Sequence, residues 1–212
     1  MADEINYYIG IDLGWKDKKT TGICILNKKE EIILQKDVFG KNSVKEITPY
    51  LKKTKVIAID APLTEGRGKG RMRLFEKFLS TETFRKEKIN PVPPALLIKL
   101  RESADFVVLP LGEKGFVLGI NLIETFTHLI KKIIKKDFLP GNFKTENEEP
   151  SLICAKIAFL HSRMETCYLG YKDGFLFLPD TSFWKPEWRE KLKQEWGKRD
   201  RLRYHYLTTN IF

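Results

Sequence analysis

The chain has 212 residues, which is enough for one sizeable hydrophobic core and short for two complete domains. Hydrophobic residues make up 42% of it and charged residues 31%, and no run approaches the roughly 20 apolar residues of a membrane span, so the composition predicts a soluble globular protein. The formal net charge of +10 favours a polyanionic partner such as nucleic acid.

Cysteine and histidine usage argues against a disulfide framework and against a zinc site. The three residues of each type lie far apart and show no ligand spacing. They are Cys24, Cys154 and Cys167, and His128, His161 and His205. The opening residues, MADEINYY, lack the basic and then apolar pattern of a secretion signal, and we therefore predict a cytoplasmic location.

The first forty residues predict three antiparallel strands. Residues 6–13, 20–26 and 31–39 are rich in β-branched and aromatic side chains, and the turns between them are short enough for hairpins. Residues 44–53 then carry apolar side chains on one helical face. The run KVIAID at 55–60 is continuously apolar, which indicates a strand that is buried on both faces and parallel to its neighbour.

Two of these strands end in an aspartate, Asp12 and Asp60. If the first and fourth strands are parallel neighbours, both carboxylates emerge together at the end of the sheet where open α/β folds bind ligands. Two such carboxylates repel each other unless a cation lies between them, and oxygen ligands favour Mg²⁺ or Mn²⁺. The alternative for Asp12 alone is a turn residue that accepts hydrogen bonds from the amides of residues 13–16.

Residues 64–110 read as an insertion between core strands. The loop TEGRGKGRMR is not a phosphate-binding Walker A loop, because Lys69 is followed by Gly70. Residues 71–79 have helical spacing, and the proline-rich stretch INPVPPALL does not suit the start of a helix or strand.

The remainder of the chain predicts a fifth strand and two helices. Residues 116–126 have a strand pattern that contains Glu124, and residues 127–136 form a helix. A second helix, 151–167, is preceded by Glu148 and Glu149.

GFLFLP, 174–179, predicts a short edge strand at the end of the domain, and a basic aromatic tail follows it. The tail holds Trp184, Trp188 and Trp196, for which core packing or a subunit contact is favoured over stacking on bases.

This order of elements matches the ribonuclease H-like fold, and the chain more closely resembles the family known as domain of unknown function 429, whose members are predicted nucleases. The resemblance covers roughly residues 9–179. Its matching pieces are IGIDLG with the following TG, IDAPL, R-x-F-E-x-x-L, the IETF segment, the helix SLICAKIA and the closing YKDGFLFLP. The chain departs from the family at Thr127, where the family usually has proline, and at Glu148-Glu149-Pro150, where it usually has an aspartate.

The resemblance implies an α/β fold with a mixed five-stranded sheet, in which three antiparallel strands are followed by parallel strands. Helices flank the sheet, and a helical insertion follows the fourth strand. We expect one ribonuclease H-like domain over residues 1–180, with the insertion at about 64–110, and a C-terminal extension over 181–212 that packs on the same domain.

The resemblance also implies hydrolysis of phosphodiester bonds by two divalent ions, Mg²⁺ or Mn²⁺, about 4 Å apart. In that scheme Asp12 bridges both ions, while Asp60 and Glu124 complete their shells. Either Glu148 or Glu149 holds the second ion. The expected catalytic residues are Asp12, Asp60, Glu124 and Glu149.

Basic residues of the insertion are the expected substrate ligands. Arg71 or Arg73 would clamp a phosphate bidentately, and Lys69 is a further candidate. Glu76 either pairs with Arg73 at i+3, the interpretation that we favour, or approaches the metals. The expected partner is DNA or RNA, and the protein is expected to be a monomer or a homodimer.

Two alternatives stay open on the sequence. A module of the same fold could bind nucleic acid without cleaving it. Actin-like ATPases and sugar kinases also begin with an I-G-I-D-L-G strand turn, although they need a second lobe for which 212 residues leave little room.

Overall fold

The computed structural model describes residues 6–65, 72–140, 143–201 and 205–212. Within these residues it holds seven α-helices and one mixed sheet of eight strands, so the protein is an α/β protein. The strands are β1 (Tyr7–Asp12), β2 (Thr21–Asn27), β3 (Ile32–Val38), β4 (Thr54–Asp60), β5 (Leu122–Glu124), β6 (Thr166–Tyr171), β7 (Gly174–Pro179) and β8 (Thr208–Thr209). Their order across the sheet is β3-β2-β1-β4-β5-β7-β6-β8.

The helices cover both faces of this sheet. They are α1 (Ser43–Leu51), α2 (Leu74–Leu79), α3 (Glu82–Lys86), α4 (Ile98–Glu113), α5 (Thr127–Ile133), α6 (Glu148–Ser162) and α7 (Pro186–Trp196). Apolar side chains of α1 and α4 pack on one face, and those of the other five helices pack on the opposite face.

The first half of the sheet has the strands and pairings that the sequence predicts. β1, β2 and β3 are antiparallel, and the turn between β2 and β3 is closed by Asn27, whose Oδ1 accepts hydrogen bonds from the amides of Lys29 and Glu31. Helix α1 then returns the chain to β4, which pairs with β1 in parallel. The predicted parallel pairing of the first and fourth strands is therefore confirmed.

Alternate side chains of β1 face the two cores, because successive residues of a strand point to opposite faces. Ile9 and Ile11 belong to the core under α1 and α4, whereas Tyr8 belongs to the core under α6. At Gly10 an added Cβ would lie 2.1 Å from the backbone nitrogen of Ala155 in α6. The α6 helix therefore lies directly on the face of the sheet that includes position 12.

The second half of the sheet differs from the prediction of five strands. The expected strand at 116–126 is reduced to β5, with three residues, and the expected helix at 151–167 ends at Ser162. Met164, with a φ of 60°, lies in the turn that follows, and β6 begins at Thr166.

The remaining additions to the sheet come from its last strands. β7 is not an edge strand, since it lies between β5 and β6. β6 in turn pairs with β8 from the tail, in the register Leu169 to Thr209.

The tail packs against the α6 side of the sheet. Trp184 and Trp188 are 1% and 4% exposed, and the Trp184 indole donates a 2.8 Å hydrogen bond to the carbonyl of Pro179. The core-packing interpretation of these two tryptophans is confirmed.

None of the helices in the described part of the chain is long and apolar enough to cross a membrane.

Candidate active site

Asp12 and Asp60 are direct neighbours at the carboxyl ends of two parallel strands. The β1–β4 register pairs Asp12 with Asp60, and residues paired in this way project from the same face of a sheet. That face lies under α6. The structure thus places the two carboxylates together, as the strand pattern predicts.

Three of the four amides in the turn after Asp12 donate to groups other than its carboxylate. The amide of Gly14 donates to the Thr21 hydroxyl at 3.0 Å, that of Trp15 to the Thr20 hydroxyl at 3.2 Å, and that of Lys16 to Ser103 Oγ at 2.8 Å. The alternative in which Asp12 accepts from these amides is therefore wrong at all three positions. Its carboxylate is left available for another role.

The surroundings of the two aspartates disfavour their charged forms. Burial, followed by the adjacent Asp60 carboxylate, raises the pKa of Asp12 to about 7, although Lys131 acts in the opposite direction. Burial raises the pKa of Asp60 to about 6, against the effect of hydrogen bonds from the Thr127 amide and hydroxyl to its Oδ2. Two neighbouring carboxyls with raised pKa values form a coupled pair that a bound cation would stabilise in its ionised state.

Glu124 lies next to this pair, but it is already bonded within the chain. It ends β5 and is 5% exposed, and its carboxylate raises the pKa of Asp60. Both of its oxygens accept hydrogen bonds of 2.6 Å from Arg73, and Oε2 also accepts from the Leu63 amide at 2.9 Å. Glu124 therefore acts as the counter-ion of Arg73 in this arrangement.

Arg73 differs from the phosphate clamp that the sequence predicts. Its side chain is 2% exposed, and its guanidinium donates to Glu76 and Glu124 and, at 3.0 Å, to the Thr64 hydroxyl. All five N–H groups of the guanidinium are thus engaged, so Arg73 has no free donor for a phosphate. The favoured pairing of Glu76 with Arg73 is confirmed.

The other two predicted basic ligands, Lys69 and Arg71, lie outside the described residues.

Glu148 and Glu149 begin α6 close to β2 and β3. The Glu149 carboxylate forms a 2.6 Å ion pair with Lys131, the same lysine that lowers the pKa of Asp12. The Glu148 carboxylate accepts from the Lys144 amide at 2.6 Å, and its carbonyl accepts from the Gln35 side chain at 2.8 Å. Lys131 therefore interacts with both Glu149 and Asp12. Glu148 instead closes the turn before the helix.

Asp37 is a member of this region that sequence reasoning missed. The strand registers place four positions side by side across the sheet, namely Asp37, Gly22, Asp12 and Asp60. At Gly22 an added Cβ would lie 2.5 Å from the Asn147 carbonyl, so the start of α6 covers this row. Oδ1 of Asp37 is buried and has no hydrogen-bond partner among the described residues.

Asp37 could be found only from the register of the β2–β3 hairpin. That register pairs it with Gly22 and so places it on the sheet face of Asp12. The carboxylate of Asp37 also contributes to the raised pKa of Asp12.

A cavity of about 170 Å³ adjoins Asp60. Its walls combine the insertion with β4 and β5, and they are mainly apolar. Residues on its walls include Pro62, Phe75, Asn90, Val92 and Phe126. A group of modest size can therefore lie beside Asp60.

The donor chemistry of the Asp12–Asp60 pair suits a hard divalent cation, since the two carboxylates offer only oxygen ligands, whereas Asp37 lies two strands away from Asp12 in the same row. A cation between Asp12 and Asp60 would offset the repulsion that, after burial, raises the pKa of Asp12, so the two residues fit a divalent ion. In the described part of the chain no three His, Cys, Asp or Glu side chains are close enough together to form a complete metal site.

Comparison of the chain with protein-family models, curated proteins and solved structures found no match.

Proposed function

We propose that the protein is a divalent-metal-dependent nuclease that hydrolyses phosphodiester bonds of DNA or RNA. The observation that carries the proposal is the Asp12–Asp60 pair, which lies at the carboxyl ends of adjacent parallel strands with both pKa values raised. The net charge of +10 supports a polyanionic substrate. A cytoplasmic location stays a prediction.

The ribonuclease H-like fold is part of this proposal. The antiparallel β1–β2–β3 unit, followed by β4 and β5 in parallel, is the arrangement that the sequence resemblance implies. The strands β6, β7 and β8 would then be additions beyond β5.

Asp12 and Asp60 are the proposed metal ligands in this chain. When bound, Mg²⁺ or Mn²⁺ would activate the attacking water and stabilise the leaving oxygen. Thr127 donates two hydrogen bonds to Asp60 and so holds its carboxylate in place. Lys131 favours the ionised form of Asp12, which is the form that binds a cation.

Glu124, Glu148 and Glu149 stay predicted ligands. Each now accepts hydrogen bonds or an ion pair from within the chain, so each would have to exchange a partner to contact a metal.

That observation favours a second candidate function, a module that binds nucleic acid without cleaving it. A buried carboxylate that is paired with an arginine gains little by moving to a cation, because its partner would be left buried and unpaired. In this alternative the acid pair contributes to binding and the substrate survives.

The test is a cleavage assay on the full chain with Mg²⁺ or Mn²⁺. Single-stranded, duplex, hybrid and branched substrates are offered to the wild type, to Asp12→Asn and Asp60→Asn, and to Glu113→Gln. Glu113 is an exposed acid at the end of α4, so its variant is a control with the same change of charge.

We expect the wild type and the control to cleave, and either aspartate variant to lose more than about 100-fold in rate. Cleavage that survives both aspartate substitutions would contradict the proposal, and binding without cleavage would favour the second candidate.

A further inference from the structure

Trp15 is the exposed tryptophan of the part of the chain that the structure describes. Its side chain is 44% exposed, whereas Trp184 and Trp188 are buried and Trp196 packs its ring against Phe78 and Phe212. Trp15 follows Asp12 by three residues, so the two Cα atoms lie at most about 11 Å apart. The backbone at Trp15 therefore lies near the end of β1 that carries Asp12, and its exposed ring lies beside Lys99 of α4, the helix on the sheet face opposite α6.

Lysines surround this ring. The ammonium nitrogens of Lys18 and Lys99 lie 4.3 and 5.0 Å from its centroid. A cavity of about 360 Å³ opens between these groups and Lys16. Asp17 and Glu102 also line it, but they pair with Lys41 and Lys16 respectively.

Neither Lys18 nor Lys99 has a carboxylate partner among the described residues, so both ammonium groups can meet an anion. An exposed ring with two such cations beside it differs from exposed aliphatic side chains such as Leu96 and Leu109, which offer no aromatic surface.

The loop that carries the ring is held from several sides. The amides of Trp15 and Lys16 donate to the hydroxyls of Thr20 and Ser103, and the Lys16 carbonyl accepts from the Lys41 amide at 3.0 Å. These bonds tie the loop to the residue before β2, to α4 and to the turn before α1. The backbone that carries the ring is therefore held before any ligand arrives, which reduces the entropy lost on binding.

We propose that Trp15, Lys18 and Lys99 form a binding surface for single-stranded nucleic acid, with a base stacked on the indole and phosphates beside the two lysines. This inference rests on the proposed nuclease function, and it specifies single-stranded nucleic acid as the substrate.

Unpaired bases expose a ring face that an aromatic side chain can cover, whereas bases in a duplex are already stacked. An exposed contact between an ammonium group and a ring is weaker than stacking of a base, so the flexible lysines yield the ring and move to the phosphates.

The test measures binding by the full chain in EDTA, where the proposed cleavage cannot occur. A fluorescently labelled short oligodeoxyadenylate is titrated as a single strand and as a duplex with its complement, and intrinsic tryptophan emission is followed with the unlabelled strand. We expect the single strand to bind more tightly and to quench the emission, since Trp15 is the accessible indole.

Trp15→Ala should weaken single-strand binding about tenfold. Trp15→Phe should keep most of the affinity and lose the quenching.

The lysines are tested through the salt dependence of binding. Lys18→Gln and Lys99→Gln should each reduce the slope of log affinity against log salt by about 0.7, the value for one phosphate contact on a single strand. Lys29→Gln and Lys114→Gln remove the same charge from exposed positions on the β2–β3 turn and after α4, and they should leave the slope unchanged.

Three outcomes overturn this surface: unchanged affinity in Trp15→Ala, tighter binding of the duplex, or no binding of either form. Failure of the nuclease proposal looks different. Tight, Trp15-dependent binding without cleavage in Mg²⁺ supports the surface and contradicts the nuclease, whereas cleavage and binding that are both unchanged in Trp15→Ala support the nuclease and overturn the surface.

Discussion

Two groups of buried or partly buried charges lie on neighbouring strands and have opposite characters. At the end of β5, Glu124 and Glu76 share Arg73, and every charge has a partner. At the ends of β1 and β4, Asp12 and Asp60 lie side by side, and neither carboxylate forms an ion pair among the described residues, although burial raises both pKa values, as it also raises that of Glu76. Compensated charges of the first kind stabilise a particular packing, whereas uncompensated charges of the second kind are typical of functional sites.

The largest expected effect is the loss of the cation from the compensated group. Arg73→Met leaves two buried carboxylates without a cationic partner, and we expect it to lower the free energy of unfolding by about 3–5 kcal/mol. Chemical unfolding followed by circular dichroism measures the change. Lys86→Met is the matched control, because it breaks an exposed pair with Glu82 and should change stability little. A loss in Arg73→Met no greater than in the control would show that the buried group around Arg73 contributes no more to stability than an exposed ion pair.

The uncompensated pair should make stability depend on pH in a defined direction. The pKa of Asp12 is about 7 in the folded protein and near 4 in the unfolded chain, so the folded state holds the extra proton between these values. The contribution of Asp12 is thus fully present below about pH 4 and is lost as the pH rises through 7.

In the absence of divalent ions, we expect the free energy of unfolding to fall by about 1–3 kcal/mol more in the wild type than in Asp12→Asn between pH 4 and pH 8. Unfolding titrations at a series of pH values measure this difference. Parallel curves for the two proteins would show that Asp12 is not strained by its surroundings.

A smaller effect is expected at Thr127, which holds Asp60 in place. Thr127→Val removes the hydroxyl that donates to Asp60 Oδ2 and keeps the amide that also donates to it. We expect a loss of about 1 kcal/mol in stability and a further rise in the pKa of Asp60. Carboxyl titration by NMR, with Thr127→Ser as the control that keeps a hydroxyl, separates this effect from simple repacking. A pKa of Asp60 that is unchanged in Thr127→Val would remove Thr127 from the account.

The local patterns of the sequence predicted the first half of the fold well. Alternating and continuous apolar runs define β1 to β4, and a strand that ends in aspartate after a helix predicts the parallel neighbour that places Asp60 beside Asp12. The second half was harder to predict, because β5 and β8 are too short for a periodic signal and β6 follows α6 after a short turn.

Long-range pairings explain what the sequence could not predict about the site. Glu124 fitted a metal ligand by its position at the end of a strand, but its partnership with Arg73 joins residues 51 positions apart. Asp37 enters the row of acids only through the register of a hairpin, and Trp15 is distinguished from the tail tryptophans only by its exposure. Each of these features depends on the folded chain rather than on a local motif.

The central claim is that Asp12 and Asp60 together hold a divalent cation. Anomalous diffraction from crystals soaked in Mn²⁺ tests it most directly, because manganese is located independently of any substrate or activity. The account predicts a manganese peak within bonding distance of both carboxylates in the wild type and its loss in Asp12→Asn. A saturating soak that leaves this position empty, or that places manganese at Glu124 and Glu76 instead, would contradict it.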